Sequence, residues 1–199
     1  IERLYPDHHR EVLMHYAYDV RGDLAAVRQS DGHVKRPFAY DAGQRMVEHQ
    51  LPSGLRCFYQ WARVDDREWR VVRHWTEAGD TYTFDYALDT GITRITDGLA
   101  RVSIRHWDER HQIIASTDAL GRTWAFRWND ESQLLGATDP LGGHYQFSYD
   151  DAGNLTETLD PLGRSESTLW LEHWALPLAE TDAAGNTWQY HYDSRGNCI

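Results

Sequence analysis

An aromatic residue returns along this chain at Tyr18, Tyr40, Trp61, Tyr86, Trp107, Trp128, Tyr149, Trp170 and Tyr192, at intervals of 22, 21, 25, 21, 21, 21, 21 and 22 residues. A period near 21 residues is that of an array in which each unit is one small supersecondary element that cannot bury its apolar face alone. Two positions before seven of the nine anchors stand Tyr16, Phe38, Tyr59, Phe84, Phe126, Phe147 and Tyr190, and two further back at six of them Met14, Cys57, Tyr82, Trp124, Tyr145 and Trp188. This i, i+2, i+4 spacing puts the rings on one face of a β-strand. The residues between them, such as Ala39, Gln60, Thr83, Ser148 and Gln189, are small or polar, so the opposite face is expected to be largely polar.

A second apolar column follows six positions after the anchor, at Leu24, Met46, Ile92, Ile113, Leu134, Leu155 and Leu176. Each unit therefore holds two short strands. Thirteen of the fifteen glycines fall in two turn slots. Gly22, Gly43, Gly91, Gly153 and Gly196 follow the anchors; Gly32, Gly54, Gly79, Gly98, Gly121, Gly142, Gly163 and Gly185 mark the other turn. Both slots are expected to need positive φ. Aspartates reinforce the second turn at Asp118, Asp139, Asp160 and Asp182, where the carboxylate can bond the backbone two residues on. A short helical turn within His8–His15 is the one exception expected to an all-β chain.

Two places break the pattern. The unit around Trp61 carries four extra residues, read as a longer loop over 64–69 with Arg67 in an aliphatic slot, followed by a strand in which Trp69, Val71 and Trp75 alternate. Pro37 and Pro177 fall inside strands and imply edges or bulges there, because proline cannot donate to a ladder. Nine units of two strands make about 18 strands, a width of roughly 86 Å at about 4.8 Å per strand. Open twisted sheets rarely exceed about 10 strands, so such a sheet is expected to curve into a spiral wall or close on itself.

The formal net charge of −11 works against nucleic acid as a partner, since a phosphate-binding face needs clustered Lys and Arg. No apolar run approaches the length of a membrane span, and no signal-peptide pattern opens the chain. Cys57 and Cys198 fit no zinc spacing and read as small apolar residues in strands. His8, His9 and His15 lack a metal-ligating pattern, so no metal or other cofactor is expected. The recurrence of Asp at turns marks a structural role rather than a glycosidase pair, and no catalytic residue is assigned. The chain opens at Ile1 without an initiator Met and ends at Ile199 just after a signature begins; both ends are expected to be truncations of a single array over 1–199.

The signature itself reads Tyr18-Asp19-Val20-Arg21-Gly22, Tyr40-Asp41-Ala42-Gly43, Tyr149-Asp150-Asp151-Ala152-Gly153 and Tyr192-Asp193-Ser194-Arg195-Gly196, with Trp107, Trp128 and Trp170 in place of Tyr. Together with Asp139-Pro140-Leu141-Gly142 and Asp160-Pro161-Leu162-Gly163, these units resemble the Rhs/YD-repeat family over essentially the whole chain, and the shell region of type VI secretion Rhs effectors most of all. The resemblance implies a spiralling β-sheet enclosing a hollow cocoon. It further implies a C-terminal toxin held inside, an N-terminal PAAR-type region joining the type VI spike, a chaperone and an immunity protein. The parent would be made in the bacterial cytoplasm and secreted, with any toxin activity outside this segment. Rhs proteins cut themselves within a motif built on Asp-Pro-x-Gly; here both matches are followed by further repeats and are read as turns. The other reading is an extracellular carbohydrate- or protein-binding adhesion module.

Overall fold

The computed structural model describes residues 1–66 and 68–199. Contacts divide the chain into two compact units, Ile1–Tyr86 with Thr93–Val102 and Ala87–Ile92 with Ser103–Ile199. Among the described residues nearly all regular secondary structure is β-strand. The first unit holds β1 (Glu2–Leu4), β2 (Arg10–Val12), β3 (Met14–Tyr18), β4 (Leu24–Gln29), β5 (Val34–Tyr40), β6 (Met46–Gln50), β7 (Arg56–Arg63), β8 (Trp69–Thr76), β9 (Thr81–Ala87) and most of β10 (Ile92–Asp97). The second holds β11 (Val102–Trp107), β12 (Ile113–Thr117), β13 (Thr123–Trp128), β14 (Leu134–Thr138), β15 (His144–Tyr149), β16 (Leu155–Leu159), β17 (Ser165–Leu171), β18 (Trp174–Thr181) and β19 (Thr187–Gln189).

Within each unit the strands pair antiparallel with their neighbours in sequence. β3 through β9 form one meander and β11 through β19 another, while β1 and β2 make a separate hairpin. Alternation follows the sequence pattern: in β15, Tyr145, Phe147 and Tyr149 are half-buried while His144, Gln146 and Ser148 are exposed. Among the described residues few side chains are fully covered, and the buried apolar ones are Ala26, Val27, Cys57 and Ala137. The chain exposes 13849 Å², against about 9,700 Å² for a compact monomer of its mass. Stability therefore rests on ladders and on rings lying over the next hairpin rather than on a core between layers.

Several expectations change. His8–His15 is not helical: Arg10–Val12 and Met14–Tyr18 are strands, and the helical turn lies at Leu88–Thr90, ended by Gly91 at φ 64°. The extra residues after Trp61 do not lengthen the loop, since Val64 N–H bonds the Glu68 carbonyl in the pattern of the other turns. They extend the ladder by two pairs, Ala62↔Arg70 and Arg63↔Trp69. Arg67 lies outside the described residues. A register shift beside Trp61 then separates the three residues expected on one face. Val71 and Trp69 pair with Trp61 and Arg63, but Trp75 pairs with Phe58 on the other face.

That second face is accordingly aromatic at this hairpin, with Phe58 and Trp75 stacked at 5.5 Å. Pro177 sits at a bulge opposite Trp170 and takes the place expected for Leu176. Pro37 pairs with Ala26, just outside the β5–β6 ladder that begins at Phe38↔His49. Cys57 is buried, whereas Cys198 is exposed and belongs to an isolated bridge with Tyr192.

Candidate functional site

The feature that repeats from hairpin to hairpin is a junction centred on the anchor. At seven of the anchors the register shifts, between Ala17/Tyr18, Ala39/Tyr40, Gln60/Trp61, His106/Trp107, Arg127/Trp128, Ser148/Tyr149 and Leu169/Trp170. A bulge bends a strand and takes local backbone groups out of the ladder. The ring of the following anchor supplies a replacement donor. Tyr40 Oη donates to the Leu24 carbonyl at 3.2 Å, Trp61 Nε1 to Met46 at 2.7 Å, and Tyr86 Oη to Val71 at 2.8 Å. Trp128 Nε1 donates to Ile113 at 2.8 Å, Tyr149 Oη to Leu134 at 3.0 Å, Trp170 Nε1 to Leu155 at 2.8 Å, and Tyr192 Oη to Pro177 at 2.8 Å.

Every acceptor in this series is the residue paired with the preceding anchor: Leu24 with Tyr18, Met46 with Tyr40, Val71 with Trp61, Ile113 with Trp107, Leu134 with Trp128, Leu155 with Tyr149 and Pro177 with Trp170. One ring thus ties two successive units. Tyr and Trp interchange at the anchor because each carries a single donor at the end of a flat apolar body. Burial pushes the Tyr40 and Tyr86 phenols up, so they remain protonated donors across the physiological range. The junction is not visible in periodicity alone, but a signal for it exists: the nine anchors include no Phe, although Phe stands two positions earlier in four units.

The turns carry a second recurring device. Asp19, Asp41, Asp97, Asp108, Asp118, Asp139, Asp150, Asp160, Asp182 and Asp193 each accept, through Oδ1, the backbone N–H groups two and four residues on. Asn129 does the same. The second oxygen, Oδ2, holds the side chain four residues on: Arg45, Arg101, Arg122 and Arg164, or Asn154, Asn186 and Asn197. Hydrogen bonds to the charged form lower a carboxyl pKa. The main-chain N–H of the residue four on is the largest cause at Asp41, Asp97 and Asp160; its side chain is at Asp118, Asp150, Asp182 and Asp193.

In each loop the residue three after the Asp is left-handed. Gly22, Gly121, Gly142, Gly153, Gly163, Gly185 and Gly196 have φ between 77° and 87° there. Gly43 and Gly98 do not supply it: Gln44 (φ 58°) and Ala100 (φ 61°) do, with His111 and Ser132 in the same role. A three-residue loop ending in a left-handed residue is a type I turn with a bulge, and that last loop position is fixed by hydrogen bonding rather than by where the glycine falls.

In the two Asp-Pro-Leu-Gly turns Oδ1 of Asp139 and of Asp160 likewise caps two N–H groups, and Oδ2 of Asp160 also holds Arg164. Among the described residues no group of three or more His, Cys, Asp and Glu is placed to hold a metal ion. Among the described residues no helix is long and apolar enough to cross a membrane. An open groove of about 310 Å³ lies on the ring-bearing face of β16–β19, lined by Thr156, Thr158, Glu166, Thr168, Glu180 and Trp188.

Fold and junction together define a β-hairpin repeat array. Residues 107–144 and 128–165 match the RHS Repeat family, so the stretch from 107 to 165 is RHS-repeat sequence. Over 98 residues, 49% of its length, the chain is 35% identical to Double-stranded DNA deaminase toxin A of Burkholderia cenocepacia. Over 90 residues, 45% of its length, it is 39% identical to Toxin protein Tse5 of Pseudomonas aeruginosa. The matched segments span 7% and 6% of those proteins. In fold, the whole chain superposes on 14% of a chain of the Photorhabdus luminescens Tc holotoxin pore, with a TM-score of 0.50 and 11% identity. TcdB2-TccC3 without its hypervariable C-terminal region gives the same score and identity, with 94% of this chain and 14% of that one covered.

Proposed function

We propose that this chain is a wall segment of an RHS-type shell that encloses a toxin polypeptide until delivery, and that residues 1–199 form one array of about nine units. The observation that carries this reading is the junction: seven anchor rings bond a carbonyl of the hairpin before them, so that within each compact unit successive hairpins are locked into a continuous fabric. A single layer with little buried core suits a container, whose purpose is to cover area rather than to fill volume. The matches to two toxins, each many times longer than this chain, support the same reading.

In this proposal the wall performs no catalysis and takes no cofactor, and the toxic activity of the parent lies elsewhere in its sequence. The parent is made in a bacterial cytoplasm and exported by a type VI system through a PAAR-type region, with a chaperone and an immunity protein as further partners. Electron microscopy of the full-length gene product tests it. Density for a polypeptide inside an RHS wall is the expected result; a solid interior with no space for cargo would refute containment.

A carbohydrate- or protein-binding role has one observation in its favour. The groove on β16–β19 offers Trp188, 51% exposed, beside carboxylates and threonine hydroxyls. Specific glycan binding by this segment, lost on Trp188→Ala, would support that role over containment.

A further inference from the structure

Five rings form an unbroken row across β5 to β9 in the first unit. Phe38 stacks on His49 at 6.4 Å, His49 on Tyr59 at 5.6 Å, Tyr59 on His74 at 5.1 Å, and His74 on Tyr82 at 6.1 Å, with interplanar angles of 12° to 29°. The row follows from register: Phe38 pairs with His49, Tyr59 with His74, and His74 with Tyr82, so all five side chains rise on one face. Two of the five rings are imidazoles, one on each side of Tyr59. The Tyr59 hydroxyl lies 3.1 Å from His49 Nδ1, which accepts its proton when the imidazole is neutral with its hydrogen on Nε2.

We propose that this row is an acid-responsive seam, in which protonation of His49 and His74 loosens the β5–β9 hairpins while hairpins lacking it hold. Imidazole is the side chain that gains charge between about pH 5 and 8. A charged ring on Tyr59 keeps some attraction to the aromatic face, but here two cations flank the same phenol. The protonated Nδ1 of His49 also ceases to accept the Tyr59 hydroxyl.

The surroundings do not neutralise the pair. On this face β5 brings Arg36 and Tyr40, β7 brings Cys57 beside Tyr59, and β9 brings Tyr82, with Asp80 in the preceding turn. Burial holds the proton affinity of His74 down most strongly and the nearby His49 adds to this; Asp80 opposes both without reversing them. For a group whose folded pKa is depressed, stability is present above the unfolded imidazole value and is lost as pH falls through the folded one. That loss begins at the unfolded imidazole value, well above the pH at which the turn aspartates begin to respond, so a comparison made above about pH 5 reads the histidines first.

The inference goes beyond containment and does not depend on it. Hydrogen exchange at pH 7.4 and 5.5, corrected for intrinsic rates, reads it in the intact chain. Amides of β6 to β9 are expected to exchange several-fold faster at the lower pH relative to those of β13 to β16, which lack such a row. In a His49→Phe, His74→Phe double variant, which keeps the stack but not its titration, that difference disappears. An equal response of both segments in the wild-type chain, or an undiminished response in a folded double variant, would overturn the proposal. The wild-type comparison decides the matter even if the double variant does not fold.

Discussion

The indole nitrogen of Trp128 donates to the Ile113 carbonyl at 2.8 Å, and Ile113 is the residue paired with the preceding anchor, Trp107. Seven junctions have this form, so the anchor's polar atom matters as much as its size. Tyr149→Phe keeps the ring and removes the donor to Leu134. The loss is expected to be about 1 kcal/mol, a typical net value for one intramolecular hydrogen bond. Tyr149→Trp is expected to retain most of it, as Trp61, Trp128 and Trp170 do at their own junctions. Denaturant midpoints for the two variants check this, and a Phe variant as stable as the wild type would refute the junction's energetic role.

The turn carboxylates set the acid limit of the fold. Asp41, Asp97, Asp118, Asp150, Asp160, Asp182 and Asp193 are all held below the ordinary carboxyl value by hydrogen bonds to their charged forms. Their contribution is complete above the unfolded carboxyl pKa, about 3.9, and is lost as pH falls through the lower folded values. Thermal unfolding midpoints are expected to fall steeply below about pH 4 for this reason. Replacing several of these residues by Asn should flatten that limb.

At a single turn the same device predicts an order of variants. Asp118→Asn preserves the oxygen that caps Leu120 and Arg122, as Asn129 does for Glu131 and Gln133. Asp118→Ala removes it and the tie to Arg122. At neutral pH the Asn variant should unfold at a temperature between those of the wild type and the Ala variant.

Left-handed loop residues can be improved or spoiled. Ala100→Gly is expected to stabilise by about 0.5–1 kcal/mol, because a side chain at φ 61° is strained and glycine is not. Gly121→Ala should cost about 1 kcal/mol, from conformation alone, since nothing lies near the added methyl. Gly91→Ala should cost more, because its Cβ would fall on the Trp107 carbonyl oxygen. Chemical denaturation of the three variants gives the order directly.

Exposed leucines at the turn tips serve as the control. Leu141 is 97% exposed, and Leu141→Ser should change stability by less than about 0.5 kcal/mol. A larger loss would mean that these tips are covered in the protein tested.

The hairpin array was legible because strand alternation and a 21-residue period are local properties: Tyr145, Phe147 and Tyr149 share a face by covalent geometry alone. The aspartate turns were legible for the same reason, each capping groups within four residues. Where Gly43 and Gly98 misled, the loop's hydrogen bonds placed the left-handed residue at Gln44 and Ala100, since turn geometry outweighs the preference of one residue. The four extra residues after Trp61 were visible as a length. Only the register showed that they become ladder pairs, and that the shift sends Trp75 to the face of Phe58.

The sequence by itself thus determined the repeat, its strands and its turns, all set by interactions within about 21 residues. Tertiary structure decided which carbonyl each anchor ring reaches, which histidines stack across five strands, and which face Trp75 occupies. These depend on how one hairpin is placed against the next, and a one-residue bulge, which no periodicity reveals, changes the facing of every residue beyond it.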